Sequence, residues 1–147
     1  MSARKIRLGH LYPREMSIYG DRGNIISLQD RSRRRGIELE VVEVGRGTTP
    51  VDDIDIFFMG GGQDQDQDLV ASDLAGPKRE AVKAAIAGGA ALLAVCGGYQ
   101  FLGSHYTTVE GTRLPGLGLV DLRTEAGQTR SIGNVLVDAS MLGLDPP

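Results

Sequence analysis

Apolar positions along the chain come in short runs set between polar and glycine-rich stretches, and their spacing switches between two periods. Ile6 to Leu11 reads as a strand. From Gly20 or Asp21, Ile25, Ile26 and Leu28 fall in a polar background that closes on Arg33 to Arg35 and Gly36. That pattern predicts a helix with cations in its last turn and a glycine stop. Glu38 to Val44, carrying Leu39, Val41 and Val42, predicts a second strand. Ile54 to Met59 is almost wholly apolar, as strands covered on both faces of a parallel sheet are, and it runs into Gly60, Gly61 and Gly62.

A further helix is predicted from Gly76 or Pro77 to Ala87, with proline suited to its first turn and Gly88 and Gly89 to its end. Ala90 to Val95 predicts a fourth strand leading straight into Cys96, after which a short helix with Tyr99, Phe101 and Leu102 ends near Gly103. Leu117 to Leu122 and Ile132 to Val137 read as two more strands. The alternation implies an α/β fold with a mainly parallel sheet flanked by helices. In such sheets ligands bind at the carboxyl ends of the strands, the edge where His10, the three glycines and Cys96 fall.

Composition narrows the function classes. The 147 residues correspond to one domain or part of one. Hydrophobic residues make up 41% and charged residues 24%, and the longest nearly apolar run, Ala84 to Val95, has 12 residues, too few to cross a bilayer as a helix. The N-terminus, MSARKIRLGH, lacks a signal core, so the expectation is a cytoplasmic protein without membrane insertion. A net charge of −3 gives no field to hold nucleic acid. One cysteine and two histidines exclude an internal disulfide and a four-ligand zinc site, and no metal is expected. The 21 glycines are the anomaly, about twice the usual share.

Part of that excess surrounds Cys96. A residue between a strand and a helix, followed by Gly97 and Gly98, sits on a sharp turn that presents its side chain at the sheet edge, as in a nucleophile elbow. The helix start behind it favours the nucleophilic thiolate. A small buried hydrophobe is the alternative account of a lone cysteine. The stretch Phe57 to Asp68, FFMGGGQDQDQD, fails as a phosphate loop for want of the Lys and Ser or Thr, and as a calcium loop because Leu69 and Ala75 stand where Gly and Glu are needed. Its glycines could instead turn N–H groups toward an oxyanion at Cys96, joined by that of Gly97; a plain solvated turn is the alternative. A base is harder to find. On a continuous helix His105 would lie about 13 Å along the axis from Cys96, and a lone histidine at a strand end, as His10 is, more often serves structure.

Four ordered blocks then resemble a known family: LYPREMSIYGDRGNI (Leu11 to Ile25), DIFFMGGGQDQDQ (Asp55 to Gln67), CGGYQFLG (Cys96 to Gly103) and LPGLGLVDLRT (Leu114 to Thr124). They are similar to the class I glutamine amidotransferases, most of all the glutaminase subunits of lipid II isoglutaminyl synthases, relatives of the cobyric acid synthase amidotransferase domains. The resemblance implies a class I glutamine amidotransferase-like fold, flavodoxin-like or Rossmann-like, and a subunit that hydrolyses L-glutamine to glutamate and ammonia through a cysteine thioester. The ammonia would pass, within a heterodimer, to a Mur-ligase-like synthetase subunit that uses ATP and magnesium to amidate D-glutamate of lipid-linked peptidoglycan precursor. No cofactor is implied for the glutaminase subunit itself. Carried over by position, Cys96 matches the nucleophile, Gly62 and Gly97 the backbone oxyanion donors, and Arg130 an arginine that holds the glutamine. The family's catalytic histidine lies in an HGP-like block that these 147 residues do not include. The expectation is therefore the N-terminal part, residues 1–147, of a single amidotransferase domain, truncated at its C-terminus. A non-catalytic piece that docks on the ligase partner, a cobyric acid synthase-like amidotransferase and a cysteine-dependent hydrolase or chaperone of the same superfold are the rival readings.

Overall fold

The computed structural model describes residues 4–18, 20–50, 52–129, 132–138 and 140–143. Four parallel strands, β1 (Arg4–Leu11), β2 (Ile37–Val44), β3 (Ile56–Met59) and β4 (Ala91–Ala94), form a sheet in the order β2-β1-β3-β4. Helix α1 (Asp21–Arg33) links β1 to β2, while α2 (Asp64–Leu74) and α3 (Pro77–Ala87) lie between β3 and β4 in sequence. This is the parallel sheet flanked by helices that the alternation predicts. Because β1 lies between β2 and β3, the chain leaves it in opposite directions, which opens a crevice at the carboxyl ends of the strands.

The alternation of side chains along β3 divides the core. Phe58 faces Leu8 and Ile25, with Leu28, Leu39 and Val41 around them, on the side covered by α1. Phe57 and Met59 face the other way and join Leu11, Met16, Val70, Leu74, Val82, Phe101 and Leu117 beneath α2 and α3. Every phenylalanine of the chain is thereby fully buried. Among the described residues β4 lies at the sheet edge, and Leu93 on it and Val95 just after it are 41% and 37% exposed.

Three expectations need correction. The polar run after the glycines is not a loop but α2, whose Val70, Ala71 and Leu74 share one buried face. Leu117 to Leu122 is not a strand: its backbone N–H groups bond irregularly to Phe101, Leu102 and Gly103, and the run is interrupted at Gly118, φ 65°. Ile132 to Val137 is not a strand either; its Ile132 and Leu136 are 85% and 86% exposed, and no neighbouring strand pairs with it among the described residues. A second, small sheet is built from β5 (His105–Thr107), β6 (Arg113–Pro115) and β7 (Thr124–Glu125), in the order β6-β5-β7.

The end of β1 is held by a partly buried polar knot. Tyr12, at φ 52°, donates its hydroxyl to Asp73 at 2.9 Å, and Gly47 N–H donates to the other Asp73 oxygen at 2.7 Å. The ammonium of Lys78, a residue only 3% exposed, pairs with Asp73, donates to the Gly45 carbonyl at 2.6 Å and lies 4.4 Å from the Tyr12 ring centre. Burial works against the Asp73 carboxylate, but the hydrogen bonds from Lys78, Gly47 and Tyr12 outweigh it and hold its pKa below the ordinary value. Asp73→Ala would strand the Lys78 charge and the Tyr12 hydroxyl, and is expected to destabilise the fold by roughly 3–5 kcal/mol in urea unfolding at neutral pH. Since the folded-state pKa is depressed, the carboxylate's contribution is present above the unfolded value of about 3.9 and is lost as pH falls through the folded one.

Candidate active site

Cys96 joins β4 to α4 (Gly97–Gln100), a single helical turn rather than the longer helix predicted. Its backbone, at φ 55° and ψ −115°, is in a conformation that L-residues rarely adopt, at a cost of order 1–3 kcal/mol that the surroundings must offset. They do so by clasping the turn on both sides. Val95 N–H donates to the Met59 carbonyl at 2.9 Å, Gly98 N–H is shared between the carbonyls of Gly60 and Val95 at 2.9 Å each, and Tyr99 N–H returns to Cys96 at 3.0 Å. Gly98 has no room for a side chain, since a Cβ would stand 2.4 Å from the Met59 carbonyl oxygen. The thiol-bearing residue is exposed, so the account of Cys96 as a buried hydrophobe is not met.

The glycine loop lies directly beside this turn. Gly62 has no positive φ; what demands glycine there is close approach, because a Cβ would meet the Met16 sulfur at 2.5 Å and the Glu15 carbonyl oxygen at 2.8 Å. A Cβ on Gly97 would in turn lie 3.3 Å from the Gly62 nitrogen. The two residues expected from sequence as backbone donors are therefore neighbours, and neither N–H has an acceptor among the described residues. Buried Asp21, the first residue of α1, anchors the loop by accepting the Gly61 N–H at 3.2 Å. Arg130 lies outside the described residues.

Neither histidine is placed as a base for Cys96. His10 is 6% exposed on β1, in register with Glu43 and with Phe58, whose ring centre is 5.4 Å away. With β3 intervening, β1 is about 10 Å from β4 at the usual strand spacing. Burial lowers the His10 pKa, with Glu43 and Asp21 pulling the other way, and its Nε2 has no partner among the described residues. His105 is not on the helix after Cys96 at all. It opens β5, where its Nδ1 lies 2.9 Å from the Ser104 hydroxyl and 3.0 Å from the Arg113 guanidinium.

Sequence reasoning missed the polar groups that line this junction. Of the buried side-chain atoms without a partner among the described residues, three are acceptors on segments that meet near Cys96: Oε2 of Glu15, Oε1 of Gln67 and Oε1 of Gln100. Such orphaned oxygens are uncommon and mark a place suited to donor-rich groups. The signal for Gln67 was present, since it shares a helical stripe with Ala71 and Leu74, but only recognition of α2 would have exposed it. Among the described residues no group of three or more His, Cys, Asp or Glu could hold a metal ion, and no helix is long and apolar enough to cross a membrane.

Comparison with known proteins identifies relatives of this chain. The GatD subunit of lipid II isoglutaminyl synthase (glutamine-hydrolyzing) from Staphylococcus aureus (strain N315) is 40% identical over 141 residues, 95% of this chain and 57% of that protein. The subunit of the same name from Streptococcus pneumoniae is 35% identical over 135 residues, 90% of this chain and 52% of that protein. This chain thus spans a little over half the length of these relatives. Hydrogenobyrinate a,c-diamide synthase of Brucella anthropi is 34% identical over 94 residues, 63% of this chain and 21% of that protein. The model of the CobB/CobQ-like glutamine amidotransferase domain matches residues 7–145, and the chain belongs to that family.

Proposed function

We propose that the Cys96 site hydrolyses L-glutamine to glutamate and ammonia, as the glutaminase part of a lipid II isoglutaminyl synthase. The observation that carries this reading is the strained, exposed Cys96 beside the N–H groups of Gly62 and Gly97, neither of which has an acceptor among the described residues. The Cys96 thiolate attacks the side-chain amide carbon of glutamine, and the oxygen, now anionic, accepts hydrogen bonds from Gly62 and Gly97. Collapse of this tetrahedral species with a proton to nitrogen expels ammonia and leaves a thioester, which water cleaves to glutamate and free thiol. The orphaned acceptors of Glu15 and Gln100 suit the amide and ammonium donors of the substrate.

In this reading residues 1–147 are the N-terminal part of one amidotransferase domain, and Arg130 holds the substrate. The subunit takes no cofactor and works in the cytoplasm. Its ammonia goes to a Mur-ligase-like partner that consumes ATP and magnesium while amidating D-glutamate of lipid II. The names of the two GatD relatives support this acceptor. The likeness to a hydrogenobyrinate a,c-diamide synthase supports a second reading, with the same glutaminase step and a corrin carboxylate as acceptor.

The glutaminase step is tested with a chloroketone analogue of glutamine, in which the Cys96 sulfur displaces chloride. Selective labelling of Cys96, slowed by L-glutamine and absent from Cys96→Ala, is expected. Labelling that glutamine does not slow would dismiss a glutamine site. Formation of D-isoglutamine from lipid II, ATP and magnesium, with the partner subunit present, separates the first acceptor from the second.

A further inference from the structure

Gln67 is the fourth residue of α2 and is 4% exposed. Its Nε2 donates to the Gly62 carbonyl at 3.4 Å and lies 3.0 Å from where a Cβ on Gly97 would stand. Its Oε1 is buried without a partner among the described residues. An apolar side chain of similar volume would fill this space without an orphaned oxygen, so packing alone gives no reason for an amide here. Its reach supplies one. A single side chain touches both backbone segments that carry the oxyanion donors.

The peptide group bearing the Gly62 N–H accepts a 3.4 Å bond from Ile18 N–H at its own carbonyl and lies between two further anchors. Upstream, Asp21 accepts from Gly61 N–H at 3.2 Å; downstream, Gln67 holds the Gly62 carbonyl. Glycine has the freest backbone of any residue, so an unclamped Gly62 would spread its N–H over many directions. An oxyanion donor works only when aimed in advance. We infer that Gln67 is a positioning residue of the glutaminase site, its amide bracing Gly62 against Gly97 so that their two N–H groups converge on one oxygen. The inference rests on the glutaminase reading above and adds to it the residue that sets the donor geometry.

The test compares two probes of Cys96 on the 147-residue chain, followed by intact mass. The chloroketone analogue of glutamine is seated by its amino-acid portion so that its carbonyl oxygen meets Gly62 and Gly97; iodoacetamide lacks that portion and reports on thiol access and reactivity. In Gln67→Met the chloroketone rate is expected to fall at least about tenfold while the iodoacetamide rate holds and the melting temperature is unchanged or raised. Gln67→Glu, which keeps the shape and loses the donor, is expected to show the same selective drop. An unchanged chloroketone rate in both variants, or equal falls for the two probes, would overturn the role of Gln67. If the unmodified chain shows no preference for the chloroketone and no protection by glutamine, the glutaminase reading itself fails, an outcome distinct from the first two.

Discussion

Gly62→Val is expected to remove acyl transfer at Cys96 almost completely. A Cβ at position 62 would lie 2.8 Å from the Glu15 carbonyl oxygen, a backbone atom that moves only if the segment after β1 moves with it. It would also lie 2.5 Å from the sulfur of Met16, and Met16 is fully buried, with its methyl group 3.2 Å from the Cβ position of Gly97. Neither neighbour can yield without pushing on the Cys96 turn. The loop must therefore draw back, taking the Gly62 N–H with it. Loss of one oxyanion donor costs a factor on the order of 10²–10³ in rate, about 3–4 kcal/mol of barrier. The overpacking adds a stability cost of about 1–3 kcal/mol, which urea unfolding would measure separately. Glutamine turnover in the assembled synthase is the direct readout. An unchanged rate in a folded Gly62→Val variant would leave the loop a purely structural role.

The second large effect concerns the proton. The 147-residue chain by itself is expected to alkylate readily at Cys96 yet to release ammonia from glutamine at a near-background rate. Expulsion of ammonia needs a group that takes the thiol proton and returns one to the leaving nitrogen. His10 is buried against Phe58 two strands away from β4, and the Nδ1 of His105 is engaged by Ser104 and Arg113 on the second sheet. Neither can deliver a proton at Cys96 from those positions. Absence of general acid and base assistance costs 10² to 10⁴ in rate, roughly 3 to 5 kcal/mol. Ammonia release by the purified chain is measured beside Cys96→Ala, His10→Ala and His105→Ala. Rapid release that needs Cys96 and vanishes with either histidine would identify that histidine as the base and reverse this expectation.

Much of the site was legible because its chemistry is written in adjacent residues. An apolar strand, a cysteine and two glycines specify a sharp turn wherever they occur, since few residue types can follow a strand into a helix so abruptly. Helix α3 was equally plain, with Pro77 opening it and Gly88 closing it as predicted. Helix α2 was not. Its first turns are alternating Gln and Asp, which resemble a solvated loop, and its claim to be a helix rests on Val70, Ala71 and Leu74 finding the core under β3. His105 went astray for the opposite reason: the short run after Cys96 looked helical, but its chain turns away after one turn to bond with residues 117–122.

By itself the sequence determined the α/β alternation, the place of Cys96 at a strand end and the glycine loop after β3, because each depends on residues within a few positions of one another. Only the tertiary structure decided that β4 stands at the edge of the sheet among the described residues and that Gly62 and Gly97 are neighbours. It alone decided that Gln67 reaches both segments and that neither His10 nor His105 serves Cys96. Strand order and the meeting of distant loops are set by which apolar faces bury together, and that burial sums over the whole chain while leaving no local period to read.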